Sequence, residues 1–290
     1  MARVVYVNGR YLHYREAATH VEDRGYQFAD AVYDVCEVWK GNLVELDEHL
    51  GRLYRSLEQI RISFSMTRAV LIQIIKRLVR YNHIVDGHVY IQVTRGVAPR
   101  QHEIPSFSLS PSLVVIAKHA KVEKLEGLAR KGVDVVTAPD IRWSRVDLKT
   151  TSLLPNVLAK EEAISSGAGE AWFIDRDGNV TEGSSCNAWI VTQDRTLITR
   201  PAGEASGILG GVTRKSVILK LAPALGLKVE ERPFTVLEAK NALEAFNTAA
   251  IILIMPVISI DGSPIGTGKP GEVSQSLREA FHKYTDLTPV

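Results

Sequence analysis

The sequence predicts an α+β protein whose sheets are largely antiparallel, and three observations carry that expectation. Hairpin turn signals join many of the strand-like runs, among them Asn8-Gly9 and Asp177-Gly178. Two stretches of three- and four-residue apolar spacing mark amphipathic helices. Hairpins dominate the strands, which favours this class over a doubly wound parallel sheet, and Gly167-Ala168-Gly169 fails as a dinucleotide fingerprint, lacking the third glycine and a preceding strand. At roughly 100–200 residues per domain, a chain of 290 residues divides into two. The expected division is an N-terminal domain over 1–120, a linker over 121–132 and a C-terminal domain over 133–290.

In chain order, VVYV and RYLHY flank Asn8-Gly9, two residues that tolerate positive φ, so a hairpin opens the chain. Ala31 to Trp39 mixes β-branched and aromatic residues, and Lys40-Gly41-Asn42 turns it into NLVEL. Leu50, Leu53, Leu57 and Ile60 repeat at helical spacing, as do Val70, Ile74, Ile75 and Leu78. His88 to Gly96 and Ser112 to Ala120 read as buried strands closing this half. Lys121 to Gly132 is charged, has little strand character and reads as the linker.

The second half opens on the strand VDVVTA and passes through IRWSRVDLKTTSLL into the helical NVLAKEEAISSG. EAWFID and NVTEG flank Asp177-Gly178 as a hairpin, and NAWIVTQDRTLIT contains another. GILGGVTRKSVILKLAPALG reads as a glycine-rich turn entering a helix that ends near Gly226. A strand around KVEERPF and a short helix follow. Then come one strand-like run, AFNTAAIILIMPVISI, a turn at Asp261-Gly262 and a terminal helix from Val273 to Tyr284.

Composition narrows the class. Hydrophobic residues at 45% and charged residues at 23% suit a globular domain. Lys plus Arg (35) against Asp plus Glu (33) leaves +2, so no bulk attraction to nucleic acid or anionic lipid is expected. The longest apolar stretch, Ala249 to Ile258, is about half the ~20 residues of a membrane helix and is interrupted by Pro256. The start MARVVYVNGRY carries no secretory h-region. Two cysteines, Cys36 and Cys186, support neither a disulfide framework nor a cysteine-based zinc site, and no metal is expected. A cytoplasmic enzyme or binding protein remains.

Three features bear on chemistry. Gly207 to Thr213 precedes a helix, where backbone N–H groups and the dipole suit a phosphate, although a plain loop-to-helix cap meets the same pattern. It is not a Walker A loop, since Arg214 and not glycine precedes Lys215. Lys149, in DLKTTSLLPNVLAK, is either a solvated cap or a Schiff-base lysine. The second role requires desolvation or neighbouring cations, which Arg142 and Arg145 could supply. Glu182, in VTEGSSCN, is either a solvated strand end or a buried carboxylate needing a cationic partner, such as a protonated pyridine nitrogen. An amine, an anion for a ring nitrogen and an amide cup for a phosphate are together the demands of pyridoxal 5'-phosphate.

At these residues the chain resembles the class IV, or fold type IV, pyridoxal-phosphate aminotransferases, and within them the D-amino acid branch. The resemblance runs through EDRGYQFADAVYDV, EHLGRLYRS, YIQVTRGVAPRQH, DIRWSRVDLKTTSLL, VTEGSSCN and GILGGVTR, in the family's order and spacing. It implies a small N-terminal α/β sandwich domain and a larger C-terminal domain with a pseudo-barrel sheet, with the cofactor in the cleft between them. It also implies a homodimer. By the same resemblance Lys149 carries the cofactor and shuttles the proton between the substrate α-carbon and cofactor C4′. Glu182 pairs with the pyridine nitrogen, and Leu209 packs under the ring. Arg52, the Val212 amide, the Thr213 hydroxyl and Thr248 hold the phosphate. Tyr33, Arg100 and His102 trap the substrate α-carboxylate, the last two from the neighbouring subunit.

Two departures stand out. The family's late hydroxyl cluster is reduced here to Thr248, with alanines after it, so either Thr248 and backbone amides suffice or cofactor affinity is lowered. Cys186 also breaks the run of serines after Glu182, and an alanine-rich wall could widen the substrate range. The expected reaction is ping-pong transfer from a D-amino acid such as D-alanine to a 2-oxo acid such as 2-oxoglutarate or pyruvate. The same fold leaves open a branched-chain L-amino acid transaminase, an (R)-selective amine transaminase or an aminodeoxychorismate lyase. A phosphate-binding protein without covalent chemistry is the alternative of a different class.

Overall fold

The computed structural model describes residues 3–290 and falls into two compact units. The first takes the chain up to Lys121 together with Leu148–Ser152 and Asp286–Val290; the second takes Val122–Asp147 and Leu153–Thr285. Two short segments from the later part of the chain thus belong to the first unit.

In the first unit β1 (Val4–Val7) and β2 (Arg10–His13) form the expected hairpin, with Asn8 at φ 45° and Gly9 at φ 90°. Helix α1 (Arg24–Phe28) begins at Asp23, whose carboxylate accepts from the Gly25 amide at 2.8 Å. Then follow β3 (Ala31–Trp39), β4 (Asn42–Val44), α2 (Leu46–Gln59), α3 (Arg68–Tyr81), β5 (Gly87–Thr94) and β6 (Ser112–His119). The sheet runs from the C-terminal strand Leu287–Pro289 through β4, β3, β5, β6 and β1 to β2, antiparallel throughout. Leu50, Leu53 and Leu57 of α2 and Leu71, Ile75 and Leu78 of α3 share one core with Val89, Ile91, Val93 and Val115. The two-residue alternation of β3 buries Val32, Asp34, Cys36 and Val38 and turns Tyr33 to the other face. An acid thus occupies a core-facing position.

The second unit begins with α4 (Val122–Lys131), where the sequence read as a linker. Its apolar residues Val122, Leu125, Leu128 and Ala129 recur at helical spacing, and Glu126 pairs with Arg278 at 2.7 Å. β7 (Val133–Pro139), α5 (Leu154–Ser165), β8 (Glu170–Ile174), β9 (Val180–Gly183), β10 (Asn187–Val191) and β11 (Leu197–Thr199) come next. α6 (Val212–Ser216) passes through a π-helical turn (Val217–Leu221) into α7 (Ala222–Ala224). β12 (Val229–Glu231), α8 (Val236–Lys240), β13 (Glu244–Ala249), β14 (Leu253–Ile260), β15 (Ser263–Pro264) and α9 (Glu272–Tyr284) complete the unit, and β16 is the C-terminal strand of the first sheet.

The second sheet runs β12-β11-β10-β13-β14-β7-β8-β9, with β15 on β14. It is mixed, since β11–β12, β14–β7 and β7–β8 are parallel. The run expected as one strand over residues 245–260 is a hairpin instead. Its turn carries no Gly, Asn or Pro, and Leu253 itself takes φ 56°. Both arms are buried, so the apolar pattern runs through the turn unbroken.

Leu53 has no solvent exposure in the first core. Leu53→Ala is expected to cost about 2–5 kcal/mol, seen as a lower urea midpoint at unchanged slope.

Candidate active site

Lys149 lies on the segment Leu148–Ser152 that joins the first unit. Main-chain hydrogen bonds lay this segment against the start of β3: Tyr33 N–H donates to the Lys149 carbonyl at 3.0 Å, and Thr151 N–H to the Ala31 carbonyl at 3.1 Å. The Thr151 hydroxyl adds a bond to the Ala29 carbonyl at 3.2 Å. So fixed, the half-buried Lys149 side chain donates from Nζ to the Tyr33 hydroxyl at 3.3 Å and stands 4.4 Å from the centre of that ring. Tyr33 in turn stacks on Tyr90 at 5.5 Å, and the Tyr90 hydroxyl donates to Gln92 Oε1 at 2.7 Å. Burial and the neighbouring Tyr33 push the Tyr90 phenol up, so it serves as a neutral donor.

One residue along β3, Asp34 faces the core and is fully buried. Arg52 of α2 grips it with two prongs, Nε to Oδ2 and Nη2 to Oδ1, both at 2.8 Å. His49 Nδ1 lies 2.7 Å from Oδ1. Burial alone would raise the Asp34 carboxyl, but Arg52 and then His49 outweigh it and hold the group well below the usual carboxylate range. Asp34 and His49 did not stand out in the sequence; the available signal was an acid at an inward position of an alternating strand.

Arg100 and His102 lie on the exposed loop between β5 and β6, where both side chains flank Phe28 of α1. The first unit therefore brings Tyr33 to Lys149, and Arg100 to His102.

In the second unit Glu182 of β9 is buried, and its surroundings are donors. Arg142 Nη1 pairs with Oε1, Asn187 Nδ2 donates to Oε2 at 3.0 Å, and the Leu209 amide donates to Oε2 at 3.2 Å. Arg142 is also held by Asp140 (Nε to Oδ1, 2.9 Å) and reaches the Gly207 carbonyl at 3.3 Å. Desolvation works against its charge, but Asp140 and Glu182 more than offset this and raise its pKa. Arg145 is engaged by Asp147 at 2.9 Å. Both arginines that the sequence offered as cations near Lys149 are thus engaged by carboxylates.

Asn187, which the sequence did not single out, ties these parts together. Its Nδ2 also donates to the Leu209 carbonyl at 2.9 Å, and it pairs across the ladder with Thr248. A Cβ built on Gly211 would lie 2.0 Å from Asn187 Oδ1, so any larger residue would have to displace the Asn187 amide. Gly211 is the N-cap of α6 and offers no capping side chain, while Val212 and Thr213 are buried in the first turn. The Thr248 hydroxyl accepts from the Trp189 indole at 3.0 Å on the same sheet face.

The model of the class IV amino-transferase family matches residues 31–260. The chain belongs to the class IV aminotransferase family. As a class IV aminotransferase it uses pyridoxal phosphate. The D-alanine aminotransferase of Bacillus licheniformis is 42% identical over 277 residues, covering 96% of this chain and 95% of that one. The D-alanine aminotransferase of Staphylococcus haemolyticus is 38% identical over 282 residues, covering 97% and 98%. Among solved structures, the T.th. branched-chain amino acid aminotransferase with pyridoxamine 5'-phosphate aligns at a TM-score of 0.90 and 27% identity, covering 98% of this chain and 94% of that one.

The residues present in this aminotransferase fit that cofactor. Gly211, whose Cβ would crowd the Asn187 amide, leaves the first-turn amides of α6 without a side-chain cap, as a phosphate cup requires. Arg142 already offsets the burial of Glu182, so the carboxylate is prepared before any ring nitrogen arrives.

Asp34→Asn is expected to cost about 3–5 kcal/mol at neutral pH by leaving Arg52 poorly paired. Because folding lowers the Asp34 pKa, its contribution is present above the ordinary carboxylate pKa of roughly 4 and fades as pH falls below it. The stability gap between variant and parent, measured by urea unfolding, therefore narrows below about pH 4.

Proposed function

We propose that this class IV aminotransferase transfers the amino group of a D-amino acid such as D-alanine to a 2-oxo acid such as 2-oxoglutarate or pyruvate, in a ping-pong cycle, as a cytoplasmic homodimer. The contact of Lys149 Nζ with the Tyr33 hydroxyl carries the reading, because it sets an amine beside a strand-held phenol. Support for the D-amino acid comes from the D-alanine aminotransferases that share up to 42% of the sequence over nearly the whole chain. Support for a reducing compartment comes from Cys36 and Cys186, both free and buried.

Pyridoxal phosphate, when bound, supplies an aldehyde to capture the amine and a ring that takes up the electron pair released with the α-proton. Lys149 Nζ would be the base that moves the proton between the substrate α-carbon and cofactor C4′, with the Tyr33 hydroxyl, which accepts from it, holding that amine in place. Glu182 would pair with the protonated ring nitrogen, and Leu209, whose amide and carbonyl are both pinned, would pack under the ring. The phosphate would rest on the Val212 amide and the Thr213 and Thr248 hydroxyls. Arg52 would join them, its guanidinium plane set by Asp34. Tyr33, Arg100 and His102 would take the substrate α-carboxylate, the last two serving the neighbouring protomer. A guanidinium fork matches a carboxylate and favours amino acids over simple amines.

Turnover of D-alanine, L-leucine and (R)-1-phenylethylamine, measured side by side, tests the assignment. D-alanine is expected to be preferred; preference for L-leucine would make the enzyme a branched-chain transaminase. Lys149→Ala should lower D-alanine turnover by ~10²–10⁴-fold and leave no borohydride-reducible label at position 149. Arg100→Ala should weaken use of D-alanine by ~10–100-fold in kcat/KM. Variants that break the dimer should lose activity while each unit stays folded; fully active monomers would contradict the shared site.

A further inference from the structure

The loop that carries Arg100 and His102 is exposed, yet its backbone is held from beneath by a buried charge cluster. Arg24 of α1 has 3% of its surface exposed and donates to three consecutive carbonyls of that loop. These are Gln101 at 2.7 Å, His102 at 3.3 Å and Glu103 at 3.4 Å. Its charge is met by Asp30 at 2.8 Å. Asp30 also receives two prongs from Arg95, at 2.7 and 2.9 Å, and Arg95 donates to the Ile60 and Arg61 carbonyls, each at 2.7 Å. Burial opposes the Asp30 charge, but Arg95 and Arg24 prevail and keep its carboxyl below the usual range. The loop is therefore tied, through two arginines and one aspartate, to the end of α2.

Phe28 closes α1 at the centre of this arrangement. The Arg24 guanidinium stands 4.9 Å and that of Arg100 5.2 Å from its ring centroid. The His102 ring meets it edge to face at 5.6 Å and 77°. One aromatic ring thus contacts two of the three residues assigned to the substrate carboxylate. The positive charge of Arg24 is satisfied by Asp30 and carbonyls, whereas among the described residues Arg100 has no carboxylate partner. The exposed cation is the one left for an incoming anion.

We propose that Phe28 and Arg24 are positioning residues of the carboxylate site: Phe28 aims Arg100 and His102, and Arg24 fixes the peptides that carry them. Selection for substrates bearing a carboxylate is then built into α1. The inference rests on the reading that Arg100 and His102 bind the α-carboxylate. A long arginine on an unsupported exposed loop would lose rotamer freedom on binding; a ring and a clamped backbone remove much of that cost in advance.

The test uses the holoenzyme with D-alanine as substrate and propionate, a carboxylate without an amino group, as competitive inhibitor. Phe28→Leu should raise both the D-alanine KM and the propionate Ki by ~3–30-fold, with kcat within about 2-fold, because the lost interaction is shared by ground and transition states. Phe28→Tyr, which keeps the ring, should restore parental values. Arg24→Lys, which keeps the charge and loses the fork, should shift KM and Ki in the same direction and speed amide exchange over residues 97–111. Should Phe28→Leu fail to fold, the Phe28→Tyr and Arg24→Lys comparison decides: a Phe28→Tyr shift in Ki, or an unchanged Ki in Arg24→Lys, overturns the proposal. Unchanged KM and Ki in folded Phe28→Leu, or a loss confined to kcat, also overturns it. Arg100→Ala separates the two levels. A raised Ki there with none in Phe28→Leu defeats the positioning role alone, and an unchanged Ki in Arg100→Ala defeats the carboxylate reading and this inference with it.

Discussion

The main-chain bonds between β3 and the segment around Lys149 are the constraint on which the placement of Lys149, and with it the proposed chemistry, depends. Tyr33 N–H to the Lys149 carbonyl and Thr151 N–H to the Ala31 carbonyl make five residues, Leu148–Ser152, a short appendage of the first sheet. They bring Lys149 beside Tyr33 across a separation of 116 residues. Backbone groups left unpaired away from water are costly, so this pairing resists the chain's freedom on either side of it. A reactive amine needs such restraint, since a free lysine side chain carries about 2 kcal/mol of rotamer entropy. The strand provides both the phenol and the anchor.

The second recurring element is the buried carboxylate held by arginine. Asp34 with Arg52, Asp30 with Arg24 and Arg95, and Glu182 with Arg142 all place an acid out of solvent with forked or multiple donors. Pairs of this kind contribute little net stability against an apolar replacement, because desolvation consumes most of the attraction. Their value lies in geometry: each sets the plane of a guanidinium or the position of a loop. Asp34 orients Arg52, Asp30 supports the loop after β5, and Glu182 pins the Leu209 amide. Each pair thereby fixes a residue assigned to cofactor or substrate.

Much of the fold was legible because local physics and tertiary packing agree. The Asn8-Gly9 hairpin, the alternating β3 and the leucine spacing of α2 are each dictated by residues a few positions apart. Where the pattern misled, a local signal was weak or absent. The segment read as a linker over 121–132 is helical: its apolar residues recur at helical spacing, Ala129 is buried and Glu126 pairs with Arg278, while its charge content masked the period. The hairpin of β13 and β14 turns without any turn residue, its buried arms hiding the break. The parallel pairs of the second sheet join segments distant in sequence, which turn chemistry cannot announce.

The site divides along the same line. The sequence by itself determined the family and supplied the residue types on which the proposed chemistry draws: an amine at Lys149, an acid at Glu182, a glycine-rich helix start and a basic loop with Arg100 and His102. Types in a fixed order suffice for that, because the cofactor makes the same demands wherever they are met. Only the tertiary structure decided which partners those groups keep. It gave Arg142 to Glu182, made Asn187 the joint between Glu182, Leu209 and Gly211, and set Arg24 and Phe28 beneath the loop after β5. Charge pairing and ring contacts act over a few ångströms between residues far apart in the chain, so their partners exist only once it has folded.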